Sequence, residues 1–445
     1  MEELTIFTLG AQGDGVAETP GGARYVAFAL PGERVAAGSD GPPRLLSSPS
    51  PDRAEPVCRH YGCCGGCVAQ HMGDRLYAEW KRGIVVGALR SRGLEPAVEP
   101  LRRVPAGWRR RAVLTARSRD GRVMLGYHRR KSHDLVDIEE CPVLLGGIVA
   151  RLPALRAIAA LLPAPEVRLT VLDTPAGLDV AAEVGVRKGK GDRRDSSRGS
   201  HMGSHKGSSP AIGRDAAAAL ARIATQHGLA RVTVDGEVLV ELVRPELRMG
   251  EADLAVPPGA FVQAVRQSEE TMRDLAVAAL DGAPGRSGRM ADLFCGVGTF
   301  TLALARRGRV LAVDSDAAAV AALTGAARHT QGLKPIEAKV RDLFREPLTA
   351  RELEPFDAVV LDPPRAGAQA QARELARSGI ETVVAVSCDP GTLARDAQIL
   401  TDGGYAIASV TPIDQFVHAA HVETVAVLRK QAPGRRGAAR PRSIS

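Results

Sequence analysis

The feature that most constrains the fold of this chain is a regular alternation of strand-like and helix-like segments from about Ala260 onward. Apolar runs rich in Val, Leu and Ala predict strands at 289–294, 309–314, 336–340, 357–362, 381–387, 405–410 and 423–428. Ala-rich segments of helical character fill most of the gaps between these runs. Strands that alternate with helices indicate an α/β fold, in which a parallel sheet is covered by helices on both faces. A ligand is therefore expected in the crevice at the carboxyl ends of the strands.

A glycine-containing turn follows the first of these strands, at 292–300, and reads Asp-Leu-Phe-Cys-Gly-Val-Gly-Thr-Phe. Glycines let a ligand approach the backbone, and the start of the following helix favours negative charge. Thr301 stands where a dinucleotide fingerprint has its third glycine. Asp314, about 20 residues on, ends the next strand and suits a pair of ribose hydroxyls. The turn therefore favours a nucleoside cofactor without a pyrophosphate over NAD.

Three further side chains are expected in the same crevice. Asp362 ends the fourth predicted strand before two prolines that stiffen the turn, and a carboxylate there has no evident structural purpose without a ligand. Cys388 ends the fifth strand, and Glu423 begins the last. A lone cysteine is more often a small buried apolar residue than a nucleophile, but its place beside a cofactor site favours the nucleophile. Cysteine and carboxylate together suit covalent catalysis, as nucleophile and base.

Four of the seven cysteines lie within ten residues, at Cys58, Cys63, Cys64 and Cys67, and Cys141 follows farther along. An odd number of cysteines in a chain expected in the cytosol argues against a disulfide framework. Thiolates at the spacing of Cys58, Cys64 and Cys67 are typical of zinc sites and of iron–sulfur clusters. The spacing alone leaves both alternatives open.

The remainder of the chain divides by composition. Short strand-like segments separated by glycine turns predict a small β-barrel in residues 1–50. Residues 51–259 contain the cysteine cluster, helices and short strands, and form a predicted α+β domain. Within it, residues 187–213 are rich in Gly, Ser, Arg and Lys and predict a flexible insertion. A basic tail at 431–445 follows the strand and helix region at 260–430.

Charge and hydropathy limit the location and the partners. The 59 Lys and Arg exceed the 51 Asp and Glu, so the net charge is +8. Arginines crowd residues 102–131, which fits either a solvated face or a nucleic-acid surface. No clean run of about 20 apolar residues predicts a membrane helix, and no secretory signal follows the acidic start. A cytoplasmic protein without a membrane partner is therefore expected.

The order of these motifs resembles that of the RNA uracil-C5 methyltransferases, a family that uses S-adenosylmethionine. The segments that carry the resemblance are Phe261-Val262-Gln263, the turn at 292–300, Asp362-Pro363-Pro364-Arg365, Ser387-Cys388-Asp389-Pro390 and His421-Val422-Glu423. The resemblance implies a C-terminal Rossmann-like class I methyltransferase domain with a doubly wound sheet. It also implies a TRAM-like or OB-like β-barrel at the N-terminus, a central α+β domain, and RNA as the partner.

The resemblance also implies roles for individual residues. Cys388 is expected to be the nucleophile that adds to C6 of uracil, and Glu423 the general base that removes the proton from C5. The side chains expected to contact S-adenosylmethionine are Gln263, Phe294, Thr299, Asp314, Asp342 and Asp362. Val265, Val417 and Ala420 stand where the family usually has other residues, and these departures spare the nucleophile and the base.

For the cysteines, the resemblance favours a [4Fe–4S] cluster over zinc, because a subset of the family has this arrangement with a distant Cys-Pro. The implied ligands are Cys58, Cys64, Cys67 and Cys141, and Cys63 is an extra thiol that could compete with them. Members with the cluster mostly resemble enzymes that act on 23S rRNA, so that substrate is expected, without an obligate protein partner. Methylation of tRNA and a non-catalytic RNA-binding iron–sulfur protein are the alternatives.

Overall fold

The computed structural model describes residues 2–38, 43–184, 212–280 and 287–431. The predicted insertion at 187–213 lies almost entirely outside the described residues, and so does the basic tail at 431–445. Two seven-stranded sheets, two three-stranded sheets and one two-stranded sheet organise the described residues. Within these ranges, no helix has the length and apolarity that a membrane crossing requires.

The N-terminal strands are short because glycine turns interrupt the chain. They are β1 (Glu2–Thr5), β2 (Thr8–Leu9), β3 (Gly15–Thr19), β4 (Gly22–Val26), β5 (Arg34–Ala37) and β6 (Arg44–Leu45). β1, β5 and β6 form one sheet and β2, β3 and β4 another, around a shared apolar core. The chain crosses between them at Ile6 and Phe7, whose N–H groups bond to opposite sheets, each at 2.9 Å. The N-terminal β-structure thus consists of two small sheets on one core.

The central region is built on one seven-stranded sheet with helices on one face. Its elements are α1 (Asp74–Arg90), β7 (Arg111–Arg119), β8 (Arg122–His128), β9 (Leu135–Asp137), α2 (Gly146–Val149), α3 (Leu152–Leu161), β10 (Glu166–Thr174), β11 (Gly177–Glu183), α4 (Arg214–His227), β12 (Leu229–Val234) and β13 (Glu237–Glu241). The strand order is β13-β12-β11-β10-β7-β8-β9, and only β11 and β12 pair in parallel. Ala112 and Leu114 of β7 join the apolar core under α3 and α4, so Arg111 lies on the opposite face.

The C-terminal sheet also has seven strands and follows a short hairpin. The elements are β14 (Glu246–Met249), β15 (Ala252–Ala255), α5 (Arg266–Leu280), β16 (Arg289–Leu293), α6 (Thr301–Leu304), β17 (Arg309–Asp314), α7 (Ala317–His329), β18 (Ile336–Val340), α8 (Ala350–Leu353), β19 (Ala358–Leu361), α9 (Gln369–Arg377), β20 (Thr382–Ser387), α10 (Pro390–Asp402), β21 (Tyr405–Ile413) and β22 (Glu423–Lys430). The order is β18-β17-β16-β19-β20-β22-β21. The chain reverses direction across the sheet between β16 and β19, and such a switch point opens a ligand crevice.

The C-terminal sheet departs from the parallel sheet predicted by the sequence at one edge. The first five strands in chain order are parallel, but β22 is antiparallel to both β20 and β21. The reason is that residues 414–422 join β21 to β22 without a helix, whereas parallel neighbours need a crossover of about a dozen residues or more. The reversal pairs Thr424 with Ser387, so the start of β22 lies beside the end of β20.

Helix α1 packs on the C-terminal sheet although it precedes the central sheet in sequence. Its residues Val85 and Leu89 are buried in one apolar cluster with residues of β16, β19 and β20. The N-terminal half of the chain therefore supplies part of the core on which the crevice is assembled.

Candidate active site

The turn after β16 has a backbone conformation that favours glycine. Phe294, Gly296 and Gly298 have φ angles of 61°, 51° and 98°. A Cβ on Gly298 would lie 2.4 Å from Leu323 Cδ1, so glycine there lets α7 pack close to the turn. A Cβ on Gly296 would meet no atom within 4 Å, which leaves open space beside the backbone for a ligand.

One half-buried and one fully buried carboxylate flank this turn. Asp314, at the end of β17, accepts the N–H groups of Gly296 at 2.9 Å and Asp316 at 2.8 Å. Asp292 is fully buried and accepts the hydroxyl hydrogen bond of Thr301. Burial raises the pKa of Asp292 to about 7 and also raises the pKa of Asp314. Asp314 thus lies against the glycine turn, as a contact to a ribose would require.

Three of the other residues predicted to contact the cofactor, Phe294, Thr299 and Asp342, lie near the same turn. The rings of Phe294 and Phe344 have centroids 5.3 Å apart, and Phe344 is 42 % exposed. The carboxylate of Asp342 accepts the N–H of Phe344 at 2.9 Å, which keeps it beside this aromatic pair. Thr299 is partly buried within the turn. Phe344 was missed by the sequence analysis, although its position two residues after Asp342 could have indicated it.

A chain of hydrogen bonds joins the half-buried carboxylate of Asp362 to the buried carboxylate of Glu423 at the other side of the crevice. Gln263 Nε2 donates to Asp362 Oδ2 at 2.9 Å. Gln415 Nε2 donates to Gln263 Oε1 at 2.8 Å and to Glu423 Oε1 at 3.0 Å. Two further side-chain oxygens of this chain, Gln415 Oε1 and Glu423 Oε2, are buried and have no hydrogen-bond partner among the described residues. Buried acceptors of this kind are costly unless a ligand or a proton satisfies them.

Electrostatics couple Cys388 to these carboxylates. Burial and the nearby Glu423 carboxylate raise the pKa of the Cys388 thiol, whereas Arg365 lowers it. Burial also raises the pKa of Asp362 to about 7 and that of Glu423 well above its usual range. The free site therefore favours a protonated thiol, which must lose its proton before it can act as a nucleophile.

The loop at 414–421, which leads into the strand that begins with Glu423, is held by helix α1. Lys81 Nζ lies 3.0 Å from Asp414 Oδ1 and donates to two carbonyl oxygens of the loop, at 2.6 and 3.0 Å. Tyr77 donates its hydroxyl to the same Asp414 carboxylate, at 2.7 Å. All three side chains are buried, so these contacts replace water around an ion pair.

The cysteines predicted to bind a metal cluster line one cavity of about 80 Å³; they are Cys58, Cys64, Cys67 and Cys141. Burial raises the pKa of the Cys67 thiol to about 12, and it also raises the pKa of Cys64 and of Cys141. Cys63 is exposed and does not line the cavity. In the part of the chain that the structure describes, no three His, Cys, Asp or Glu side chains are arranged to hold a single metal ion.

Comparison with known proteins identifies the family. Residues 231–431 match the family model described as tRNA (Uracil-5-)-methyltransferase. The chain is 47 % identical to an uncharacterised RNA methyltransferase of Rhizobium meliloti (strain 1021), over 96 % of this chain and 99 % of that one. It is 33 % identical to the 23S rRNA (uracil(1939)-C(5))-methyltransferase RlmD of Halomonas elongata, over 98 % of this chain and 90 % of that one. The chain belongs to the RNA uracil-C5 methyltransferase family.

A solved structure has the same overall fold as this RNA methyltransferase. It is the tRNA (uracil-54, C5)-methyltransferase of Pyrococcus abyssi in complex with S-adenosyl-L-homocysteine. The two superpose with a TM-score of 0.67 at 23 % identity, over 96 % of this chain and 99 % of that one. The predicted Rossmann-like domain and the additional N-terminal sheet domain are therefore confirmed.

Three residues that the methyltransferase brings to this region were missed by the sequence analysis. Gln415 gave no signal, because a single amide in a loop has no periodic pattern. Tyr77 and Lys81 lie one helical turn apart on the buried face of α1. A lysine within an otherwise apolar helix face was the one signal that could have indicated a buried ion pair.

Proposed function

We propose that this protein methylates C5 of a uridine in RNA with S-adenosylmethionine, through a covalent bond between Cys388 and C6 of the uracil. The support comes from the close placement of Cys388 and Glu423, at adjoining ends of the antiparallel strands β20 and β22. The Glu423 charge raises the pKa of the thiol, and one Glu423 oxygen has no partner among the described residues. A nucleophile and a base that share a buried site suit covalent catalysis.

The turn after β16 fits the proposed cofactor. The residues proposed to hold it are Gln263, Phe294, Thr299, Asp314, Asp342 and Asp362. Open space beside Gly296 adjoins the Asp314 carboxylate, which suits ribose hydroxyls, and Phe294 offers an aromatic face to a base. When bound, S-adenosylmethionine supplies an electrophilic methyl group.

In the proposed mechanism, Cys388 makes C5 of the target uracil reactive. Its thiolate forms a bond to C6, and the electrons of the C5=C6 bond move toward C5 and the C4 carbonyl. C5 would then form the new bond to the methyl carbon, as the bond between that carbon and the sulfonium sulfur breaks and S-adenosylhomocysteine leaves with its electron pair. Because burial raises the pKa of the thiol, its proton must first pass to solvent water, and Arg365 favours the thiolate that results.

Glu423 would complete the reaction. It removes the proton from C5, the electrons of that C–H bond re-form the C5=C6 bond, and the C6–S bond breaks to release the Cys388 thiolate. Only the ionised carboxylate can take this proton, and because burial raises the pKa of Glu423, the carboxylate once ionised is a stronger base than one in water. Gln415 donates to Glu423 at 3.0 Å and would orient the carboxylate.

The proposed substrate is a uridine of 23S rRNA. The Halomonas elongata relative, named for that activity, supports it at 33 % identity over nearly the whole chain. Methylation of tRNA is the second candidate, because the matched family model and the Pyrococcus abyssi protein are both described by that activity. In either RNA, the base must leave its stack to reach a buried thiol.

Mass spectrometry of 5-methyluridine in separately purified 23S rRNA and tRNA distinguishes these substrates. Cells that lack the gene are compared with cells that carry it and with cells that carry the Cys388→Ala variant. Loss at one 23S rRNA position, in both deficient strains, would support the proposal and identify the nucleotide. Loss only from tRNA would keep the chemistry and replace the substrate, and no loss from either RNA would contradict the activity.

We further propose that the cavity lined by Cys58, Cys64, Cys67 and Cys141 holds a [4Fe–4S] cluster. Four thiols around one cavity are the donor set that such a cluster uses. Iron and inorganic sulfide in equal amounts in the purified protein would support this assignment, and bound zinc without iron would contradict it.

A further inference from the structure

On the face of the central sheet that lies away from α3 and α4, one arginine has no carboxylate partner. Arg111 begins β7 and forms no ion pair with any described residue. Two neighbours on the same face differ from it, because Arg117 lies 2.8 Å from Glu166 and Arg168 lies 3.9 Å from Glu183. The Nε of Arg111 is buried and donates to no described acceptor. A buried donor without a partner is unfavourable by itself, which is typical of groups that bind an anion.

Two arginines and one carboxylate lie near Arg111. Burial, together with Arg109 and Arg168, lowers the pKa of Arg111 to about 10, whereas Glu183, which pairs with Arg168, raises it, so Arg111 still carries its charge at neutral pH. A guanidinium presents donors in a planar fork that matches a phosphate, and it is the side chain most often used for that purpose. An anion is therefore the ligand that this position favours.

The ring of Phe261 holds the guanidinium in place. Arg111 Cζ lies 5.1 Å from the centroid of that ring, which is a cation–π contact. Phe261 is 53 % exposed, so it is not buried as part of an apolar core. The contact fixes the plane of a guanidinium whose donors would otherwise be free to rotate, which favours binding of a ligand with defined geometry.

The Arg111–Phe261 pair adjoins the candidate active site. Phe261 precedes Gln263 by two residues, and the Gln263 amide donates to Asp362 at 2.9 Å. Arg110 ties the start of β7 to this segment, because its N–H donates to Ala264 O at 2.8 Å and its Nε to Gln263 O at 3.1 Å. The unpaired guanidinium therefore lies beside the segment that carries Gln263, one of the residues of the candidate active site.

We propose that Arg111 binds a backbone phosphate of the RNA substrate beside the target nucleotide. This inference rests on the proposed function, since it takes RNA as the substrate, and it adds the group that anchors the strand. A phosphate contact positions the backbone and carries no sequence information, so Arg111 sets how tightly RNA binds and not which base is chosen. The anchor offsets part of the cost of taking a base out of its stack.

The test is equilibrium binding of RNA at several salt concentrations. Unmodified transcripts of 23S rRNA and of tRNA are titrated with the Cys388→Ala protein, alone and combined with Arg111→Gln. Each phosphate contact contributes roughly 0.7 to 0.9 to the slope of log K against log salt, so Arg111→Gln is expected to reduce the slope by about one. Arg111→Lys keeps the positive charge but loses the planar pair of guanidinium donors. It is therefore expected to keep the slope of log K against log salt and to bind RNA less tightly.

A matched charge loss elsewhere provides the control. Arg377 is exposed at the end of α9 and pairs with Glu374, so Arg377→Gln is expected to leave the slope unchanged. If the Cys388→Ala protein binds an RNA and adding Arg111→Gln leaves the salt dependence of that binding unchanged, Arg111 makes no phosphate contact. The proposed function would then remain intact. If the Cys388→Ala protein binds neither transcript, both the phosphate contact and the proposed function are overturned. If Arg111→Gln fails to fold, the affinity of Arg111→Lys decides, since unchanged affinity would exclude a bidentate contact.

Discussion

At the scale of single residues, the proposed chemistry depends most directly on Cys388. We predict that Cys388→Ala abolishes methyl transfer, because C5 of uracil is a poor nucleophile until a C6–S bond breaks the conjugation of the ring. The measurement is transfer of a labelled methyl group to an RNA transcript. Cys63→Ala is the control, because Cys63 is exposed and does not line the cysteine cavity, and it should retain activity. Methylation by Cys388→Ala would refute the covalent mechanism.

Replacement of Glu423 should have a different effect from replacement of Cys388, because Glu423 is proposed to act after the covalent bond has formed. Glu423→Gln keeps the shape of the side chain but cannot take the C5 proton, so we predict that the enzyme–RNA adduct accumulates. Denaturing electrophoresis with labelled RNA detects the adduct, and the Cys388→Ala/Glu423→Gln protein serves as the control without it. Normal turnover by Glu423→Gln, with no adduct, would show that another group is the base.

Asp292 makes stability depend on pH. Burial raises its pKa from 3.8 to about 7, so between these values the folded protein holds a proton that the unfolded chain has lost. Stability is therefore lost as pH rises through this range. Asn at this position still accepts a hydrogen bond from Thr301 and cannot ionise. We predict that the Tm of Asp292→Asn, relative to the natural protein, rises by about 2 °C or more between pH 4.5 and pH 8. An equal difference at both pH values would contradict this reading.

At the scale of elements, helix α1 determines the position of the loop at 414–421. Lys81 and Asp414 are both fully buried, and their ion pair is 3.0 Å long. We predict that Lys81→Met lowers the free energy of unfolding by about 3–5 kcal/mol, because it leaves a buried carboxylate without a counter-charge. Urea denaturation measures the change.

The double variant Lys81→Met/Asp414→Asn separates the charge effect from lost packing. It should be more stable than Lys81→Met alone, because the uncompensated charge is gone. If the two variants are equally stable, the lysine acts through its alkyl chain and its contacts to carbonyl groups, and the ion pair is not what holds the loop.

At the scale of the whole molecule, the cysteine segment and the loop at 414–421 are in direct contact. The N–H groups of Val68 and Ala69, which follow Cys67, donate to His418 O at 2.7 and 3.2 Å. Val417 of the loop also lines the cysteine cavity. We therefore expect a disturbance of the cavity to reach the loop that leads into Glu423.

This contact predicts a measurable loss of order. Cys67→Ser should raise amide hydrogen exchange across residues 414–421 by roughly tenfold or more, because the loop loses one of its two supports. Mass spectrometry of the exchanged full-length protein resolves the segment, and Cys63→Ser is the matched control. Unchanged protection of the loop in Cys67→Ser would show that α1 alone holds it.

The sequence by itself determined the class of fold and the edge of the sheet at which the candidate active site lies. Strand and helix periods are local properties, so the seven strands of the C-terminal sheet could be located from apolar runs. The polar residues that end those strands, such as Asp314 and Asp362, could be assigned to one crevice because parallel strands share an edge. Their roles as contacts remain predictions, and so do those of Cys388 and Glu423.

Tertiary structure alone decided the direction of β22 and the partners of the buried polar groups. The direction follows from which strands become neighbours, and it is this reversal that brings Glu423 beside the end of β20. The Gln263–Gln415 bridge, the ion pair of Lys81 and the unpaired guanidinium of Arg111 depend on what the facing element supplies. A residue's own neighbours in sequence determine its secondary structure, but the cost of burying its charge is set by groups that are distant in the chain.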